Sequence, residues 1–544
     1  MQRPSGAFLA HHARTFIFTT FCISCAAPAV LAQNVLTWHN DNARTGQYLS
    51  EKTLTLQNVS PSSFGKLFVI RVDGKVDAQP LYVEKQQVPN QGVHNLLFVA
   101  TEHDSVYAFD ADTGKPYWQV QLLAAGETPS DNRGCSQVIP EIGITSTPVI
   151  DLHRGLHGTV YAVAMSKDSS GNYFQQLHAL DLQTGAEEFG GPVEIHATYP
   201  GNGAASQHGT EIFDPKQYEE RAALLLLNGV VYTTWTSHCD IDPYNGWVIA
   251  YDAATLKQTS ALDLTANGEE GAIWQSGAGP AADKQGNLYV MVANGTFDSA
   301  LNSQGFPSKG DYGNSFVRIS PSSERLAVAD YFTMFDVDAE NNTDMDLGAG
   351  GPVVLPEMQD AAGKTRRLAV GAGKDRNIYL VNRDAMGKFN LQGNQNIYQE
   401  IPKALKGERF RGAPAYFEGR LYFGSVNDSM REFRFSDAKL IPDPVSVTAA
   451  KFAYPGAMPS VSADGSSNGI VWAVDNLDIA VLHAYDANNL AHELYNSEQA
   501  AGGRDHFGGG NKFITPMIAH GKVYVGTTDS VAVFGLLPPS AKPH

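Results

Sequence analysis

Residues 344–383 read DMDLGAGGPVVLPEMQDAAGKTRRLAVGAGKDRNIYLVNR. Gly351-Pro352-Val353-Val354 and the apolar runs that follow it read as the strands of one propeller blade. Asp344, Asp346 and Lys374 are charges those strands do not need, and they fall where blade-connecting loops turn toward a central axis.

The same small-residue and proline start recurs at Gln79-Pro80, Thr147-Pro148, Gly279-Pro280, Ala413-Pro414, Met458-Pro459 and Thr515-Pro516, and Ala222–Leu227 fills the one gap in the spacing without a proline. Proline is tolerated at a strand's first residue, where no ladder donor is lost. Each start leads to a second and a third strand, as in Leu96–Ala100 and Val106–Asp110. The third strand runs into an Asp-x-x-Thr-Gly turn at Asp110–Gly114 and Asp181–Gly185, with decayed copies at Asp252–Thr255 and Asp486–Asn489. A fourth strand, such as Lys115–Trp118, closes the unit. Four strands at a period of about 60 residues make a propeller blade with long loops.

The last unit, built on Lys522–Gly526 and Val531–Gly535, lacks a fourth strand, and Phe64–Ile70 has that strand's pattern without a unit of its own. The expectation is an all-β, eight-bladed propeller over 33–537, its ring closed by the N-terminal strand completing the last blade. Residues 538–544 read as a disordered tail.

Composition excludes several classes. The formal net charge is -18, and the first 32 residues carry Arg3 and Arg14 and no acid, so nucleic acid is not an expected partner. No later apolar run is long enough to span a bilayer. Arg3 and Arg14 precede the apolar stretch Thr15–Ala32, and Val30-Leu31-Ala32 offers a cleavage site before Gln33, so 1–32 reads as a signal peptide for a periplasmic or secreted protein. Cys25 as a lipid attachment point has only Cys22-Ile23-Ser24 before it, a poor lipobox. Cys135 and Cys239 are then the cysteines left, and an oxidising compartment invites their bridge.

A residue that breaks the repeat in a loop on the shared face is the better functional candidate. Asp240, Trp274, Asn294, Asp346 and Lys374 do so. Trp274 followed by Asn287–Gly295 resembles the tryptophan-to-TGN stretch of the pyrroloquinoline quinone (PQQ) dependent alcohol dehydrogenases. Arg367 to Lys374 with Tyr379 and Asn382-Arg383 is similar to that family's later blade, and Ser237–Asp240 before Trp247–Asp252 resembles its carboxylate-bearing segment with one residue inserted. The resemblance implies that Trp274 stacks under the quinone with Lys374 and Arg376 beside it. It further implies that Asp240, Asn294 and Asp346 hold a calcium ion, and that Asp346, with Asp344 near it, is the catalytic base. The chemistry agrees: calcium takes several oxygens, the cation polarises a quinone carbonyl, and an ionised carboxylate accepts an alcohol proton.

The chain also departs from that family. In place of two adjacent bridged cysteines and a following arginine stand Gly134-Cys135-Ser136 and Pro140-Glu141. A Cys135–Cys239 bridge would either replace that pair as a lid or tie two loops. No Cys-x-x-Cys-His encodes a covalent haem, so electrons would leave to a separate acceptor. Structural readings stand beside the functional ones. Trp274 serves equally as a wedge between blades, Asn294-Gly295 as a turn, and Asp344 and Asp346 as loop caps. Gly371-Ala372-Gly373-Lys374 lacks the first glycine and the Ser or Thr of a phosphate loop. His208, His238 and His506 have no metal-ligand spacing and read as loop hydrogen bonders.

The implied function is a quinoprotein dehydrogenase acting on an alcohol or sugar-like small molecule. The rival is a non-catalytic propeller that binds protein partners through its loops, as in the outer-membrane assembly lipoprotein. A carbohydrate-binding or adhesion propeller has no motif behind it.

Overall fold

Strands that lie between two neighbours on both faces need unbroken apolar runs, and strands at a rim need alternation. The computed structural model, which describes Met1 and residues 34–321 and 325–538, follows that rule from axis to rim. In the second blade, the strand Thr159–Asp168 is buried over its first eight residues. In the first blade the outermost strand, Pro116–Gln121, has no fully buried residue.

Eight blades, each built on four antiparallel strands, form the ring, and blades 2, 6 and 7 carry further strands. Their innermost strands are Leu81–Val88, Val149–Asp151, Leu225–Leu227, Ala281–Ala282, Val353–Val354, Ala415–Phe417, Ser460–Asp464 and Met517–Ala519. All eight follow the starts read in the sequence. The eighth blade is completed by Phe64–Arg71, which pairs antiparallel with Ser530–Leu536, so the expected ring closure is present. The leader read over 1–32 and residues 539–544 of the expected tail lie outside the described residues.

The Asp-x-x-Thr turn recurs because it joins blades. Asp110 Oδ1 accepts the Asp112 and Thr113 amides and the Thr113 hydroxyl, and Asp181 Oδ1 does the same for Gln183 and Thr184. The residue after each aspartate is fully buried, and its carbonyl takes a donor from the adjacent blade. Tyr524 donates to Ala111, Trp118 to Leu182, Tyr161 to Ala253 and Tyr422 to Ala487, at 3.1, 3.0, 2.7 and 2.6 Å.

One feature has no counterpart in the sequence reading. Eight inner strands cannot meet on the axis, and residues 35–50 fill the space between them. This segment bonds to every blade in turn. Val35 pairs with Tyr82, and Leu36, Asn42, Ala43, Thr45 and Gly46 offer carbonyls to the amides of Ile150, Ala282, Val354, Tyr416 and Val461 at 2.5–2.9 Å. Asn42 Nδ2 donates to the Leu226 carbonyl at 2.8 Å, and Trp38 Nε1 to Thr515 Oγ1 at 3.2 Å. A stretch this short can reach all eight inner strands only from the axis.

Arg44, fully buried, is the hub of this plug. Its guanidinium donates to the carbonyls of Pro280, Trp38 and Leu224 and to the Thr37 hydroxyl, at 2.7–3.0 Å. The small residues of the blade starts make room for it. A Cβ at Gly279 would stand 2.6 Å from Arg44 Nη2, and one at Gly46, whose φ is +70°, would stand 2.5 Å from the His39 ring.

Arg44→Met strands three buried carbonyls and leaves the half-buried Asp41 without its cation, so a loss of about 3–5 kcal/mol is expected. Arg44→Lys restores the charge but not the planar fork and should recover only part of the loss. Thermal and denaturant unfolding followed by circular dichroism measures both.

Candidate functional site

The loops before the first strands and between the second and third strands meet at one end of the axis, where they line a cavity of about 280 Å³. That is near the lower end of ligand pockets, about 300–1,000 Å³. Its inner end rests on the plug. Trp38 clusters with Ala223, Ala278, Ala413 and Met458, and Phe513 packs on that cluster. Phe513 lines the cavity, and Trp274 meets its ring edge-on with centroids 5.9 Å apart.

The acidic wall comes from blades 3, 4 and 5. Asp346 precedes a one-turn 3-10 segment, Leu347–Ala349, and is buried. Its Oδ1 accepts the Asn294 amide at 2.7 Å, and its Oδ2 lies 2.7 Å from Lys374 Nζ. The same ammonium reaches Asp344 Oδ1 at 2.5 Å and stands 5.8 Å from the Trp274 ring centroid. Asp344 also binds Arg409. Burial works to raise the Asp344 carboxyl, but Lys374 and Arg409 outweigh it and hold the group below the usual carboxylate range. Asp240 takes a hydrogen bond from the Tyr244 hydroxyl at 3.2 Å. Burial, and then the charge of Asp346, push its carboxyl up.

Of the residues singled out in the sequence, Asp240, Trp274, Asp344, Asp346 and Lys374 line this one cavity. Asn294 and Arg376 do not. Asn294 is spent on the framework: its side-chain oxygen accepts from Asn314 Nδ2 at 3.3 Å and its Nδ2 donates to Asp344. Arg376 turns away, and its Nη1 donates to the Gly407 carbonyl at 3.0 Å. Among the described residues no three His, Cys, Asp or Glu side chains are grouped to hold a metal ion. His238 is a loop hydrogen bonder, with Nδ1 3.4 Å from Glu219 Oε2 and Nε2 3.2 Å from the Tyr218 carbonyl.

Cys135 and Cys239 form a disulfide with Cα atoms 5.6 Å apart. Both cysteines line the cavity, so the bridge joins the loop entering blade 2 to the blade 3 loop carrying Asp240 and walls the site as well.

The sequence reading missed Asp77, Glu219, Arg221, Arg411, Tyr454, Lys512 and Phe513, which also line the cavity. A signal existed. Asp77, Arg411 and Phe513 each lie three residues before the proline of a blade start, at Pro80, Pro414 and Pro516, so this position recurrently faces the cavity.

No family model matches the chain, and no curated protein matches it in sequence. Solved structures match its fold. Quinohemoprotein alcohol dehydrogenase from Comamonas testosteroni superposes with a TM-score of 0.60 at 13% identity, covering 94% of this chain and 82% of that one. Quinohemoprotein alcohol dehydrogenase ADHIIG from Pseudomonas putida HK5 gives 0.58 at 15% identity, with 94% and 82% covered. A europium-containing methanol dehydrogenase gives 0.59 at 13% identity, with 93% and 98% covered. At these identities the likeness is one of fold.

For protein beginning at Gln33, thiol titration in denaturant should find no free thiol before reduction and the two of Cys135 and Cys239 after it. Replacing both by serine should lower stability by about 2–4 kcal/mol, read from denaturant midpoints.

Proposed function

We propose that this chain, which carries the eight-bladed fold of the quinohemoprotein alcohol dehydrogenases, binds PQQ in the axial cavity and oxidises an alcohol or sugar-like substrate. The observation that carries this reading is the joint placement of Trp274, Lys374 and Asp346. An aromatic ring walls the cavity, an ammonium stands 5.8 Å from its centroid, and that ammonium is held between two carboxylates.

The residues fit such a group. Trp274 is half-buried, with one side packed on the blade 3 core and the other on the cavity, which suits a flat ring. PQQ, when bound, supplies the two-electron acceptor that no side chain here provides. Asp346 is the base for the substrate hydroxyl: the Asn294 amide and Lys374 fix both of its oxygens. Asp344, kept ionised by Lys374 and Arg409, holds that lysine in place. For calcium, Asp240 and Asp346 are the two residues of the expected set that line the cavity, and Asn294 would join them only by giving up its bond from Asn314. In place of adjacent cysteines, the Cys135–Cys239 bridge borders the site. Export to the periplasm or medium, and a separate electron acceptor, complete the proposal.

The second reading, a propeller that binds proteins through these loops, draws on one observation. Lys374 already neutralises Asp344 and Asp346 without any ligand.

Titration with PQQ, with and without calcium, followed by dye reduction on an alcohol panel, separates the two. Saturable PQQ binding that Trp274→Ala and Asp346→Ala each weaken at least tenfold, and alcohol-dependent dye reduction lost in Asp346→Asn, are the expected results. Absence of PQQ binding at any calcium concentration would sink the enzyme reading. Because the Asp240 carboxyl is held above the usual range, its protonation on acidification begins at a higher pH than an ordinary aspartate's. The calcium-dependent part of binding should therefore weaken as pH falls, and less so in Asp240→Asn.

A further inference from the structure

We propose that the loops flanking blades 3 and 4 form a proton-operated latch: three buried carboxyls, one from each of three interlocked segments, hold these loops down while protonated and release them on ionisation. The latch stands whether or not the axial cavity binds a quinone.

The first segment is the hairpin of Thr198–Pro200 and Thr210–Ile212, whose strands pair only with each other. The second, 263–268, runs on from the end of the fourth strand of blade 3, Gln258–Asp263. The third, 309–312, belongs to the loop between the second and third strands of blade 4, Leu288–Met291 and Ser315–Pro321. Hydrogen bonds knit the three together. Gly203 and Ala204 donate to the carbonyls of Ala266 and Gly268, both at 2.9 Å, and Tyr312 donates to that of Leu264 at 2.7 Å. The Asn267 amide donates to Asp311 Oδ1 at 2.9 Å, and Asn267 Nδ2 to the Lys309 carbonyl at 2.8 Å. The fit is close, since a Cβ at Gly201 would stand 2.1 Å from the Ala266 carbonyl oxygen.

Each segment brings one acid to this joint. Glu211, Asp263 and Asp311 are 0%, 2% and 0% exposed. Neither oxygen of Glu211 has a side-chain donor, and Asp263 Oδ2 and Asp311 Oδ2 have no hydrogen bond. Among the described residues none of the three forms an ion pair. The charged and titratable groups that face them are Asp298, Lys309, Arg325, Tyr199, Tyr218 and Tyr312, and both cations are exposed.

A carboxylate buried without a cation is driven to its neutral form. Burial first, with the neighbouring acids adding to it, raises the carboxyls of Asp263 and Glu211, and burial raises that of Asp311 to about 6. Groups raised in this way stabilise docking when protonated. Their contribution is whole below the ordinary carboxylate range and is lost as pH rises through the raised values. The effect has a short route to the axial cavity. Asp311 lies three residues before Asn314, whose side chain takes the Leu347 amide at 2.7 Å and donates to Asn294 at 3.3 Å.

Hydrogen–deuterium exchange of the intact protein, read by mass spectrometry at pH values below and above about 6 and corrected for the intrinsic pH dependence of exchange, tests the latch. Protection of 198–212 and 309–314 should fall about tenfold or more across that step, while Leu288–Met291 keeps its protection. The triple variant Glu211→Gln/Asp263→Asn/Asp311→Asn, which keeps the side-chain shapes and cannot ionise, should stay protected at both pH values. Asp311→Asn alone, which serves if the triple variant does not fold, should show a shallower fall because one proton fewer is released. Wild-type protection unchanged across the step would overturn the proposal, as would a fall equally steep in the variants. Calcium that restored wild-type protection at the higher pH would make the cluster a cation site and overturn it too.

Discussion

An eight-bladed ring leaves a hole, and the protein depends on how that hole is filled. Protein interiors tolerate few voids, and an inner strand with an unpaired edge facing an open channel would leave backbone donors and acceptors without partners. Residues 35–50 meet both demands at once. Backbone carbonyls in this segment take the amides of six inner strands, and Arg44 ties blades 3 and 4 to the segment through the carbonyls of Leu224 and Pro280. The cost of burying an arginine is offset because its fork finds four acceptors.

The same plug makes the cavity possible. Trp38 sits among the small residues at the mouths of the inner strands and supports Phe513, which in turn meets Trp274. Most of the wall above that floor comes from loops, but these loops are not loose. Asn294, Asn314, Asp346 and Lys374 are stitched across blades 4 and 5 by side-chain to backbone bonds and an ion pair, and the disulfide ties blade 3 to the approach to blade 2. A site built this way is preorganised by its supporting bonds. Its charges include a lysine paired with two carboxylates and cations that lie over aromatic rings.

The blade count, the closing strand and the shared face of the functional loops were legible in the sequence because each depends on a local, repeated signal. Proline at a strand entrance, an aspartate two or three residues before its turn partners, and alternation at the rim are short-range effects. Residues that break the repeat, Asp240, Trp274, Asp344, Asp346 and Lys374, could be picked out for the same reason, and they do share one cavity. Asn294 and Arg376 could not be distinguished from them. Whether a loop side chain faces the cavity or braces its neighbour depends on partners such as Asn314 and Gly407, which lie 20 and 31 positions away in the chain.

The plug and the cations of the cavity were hidden for a related reason. Residues 35–46 carry no strand period, since successive residues answer to different blades. Arg221, Arg411 and Lys512 look like ordinary loop charges until ring closure is seen to bring them to one cavity. By itself, the sequence determined the all-β architecture and the eightfold repeat, because these arise from periodicity and turn chemistry acting over a few residues. Only the tertiary structure decided what fills the axis and which charges are paired, because those outcomes depend on side chains that ring closure brings together from blades hundreds of residues apart.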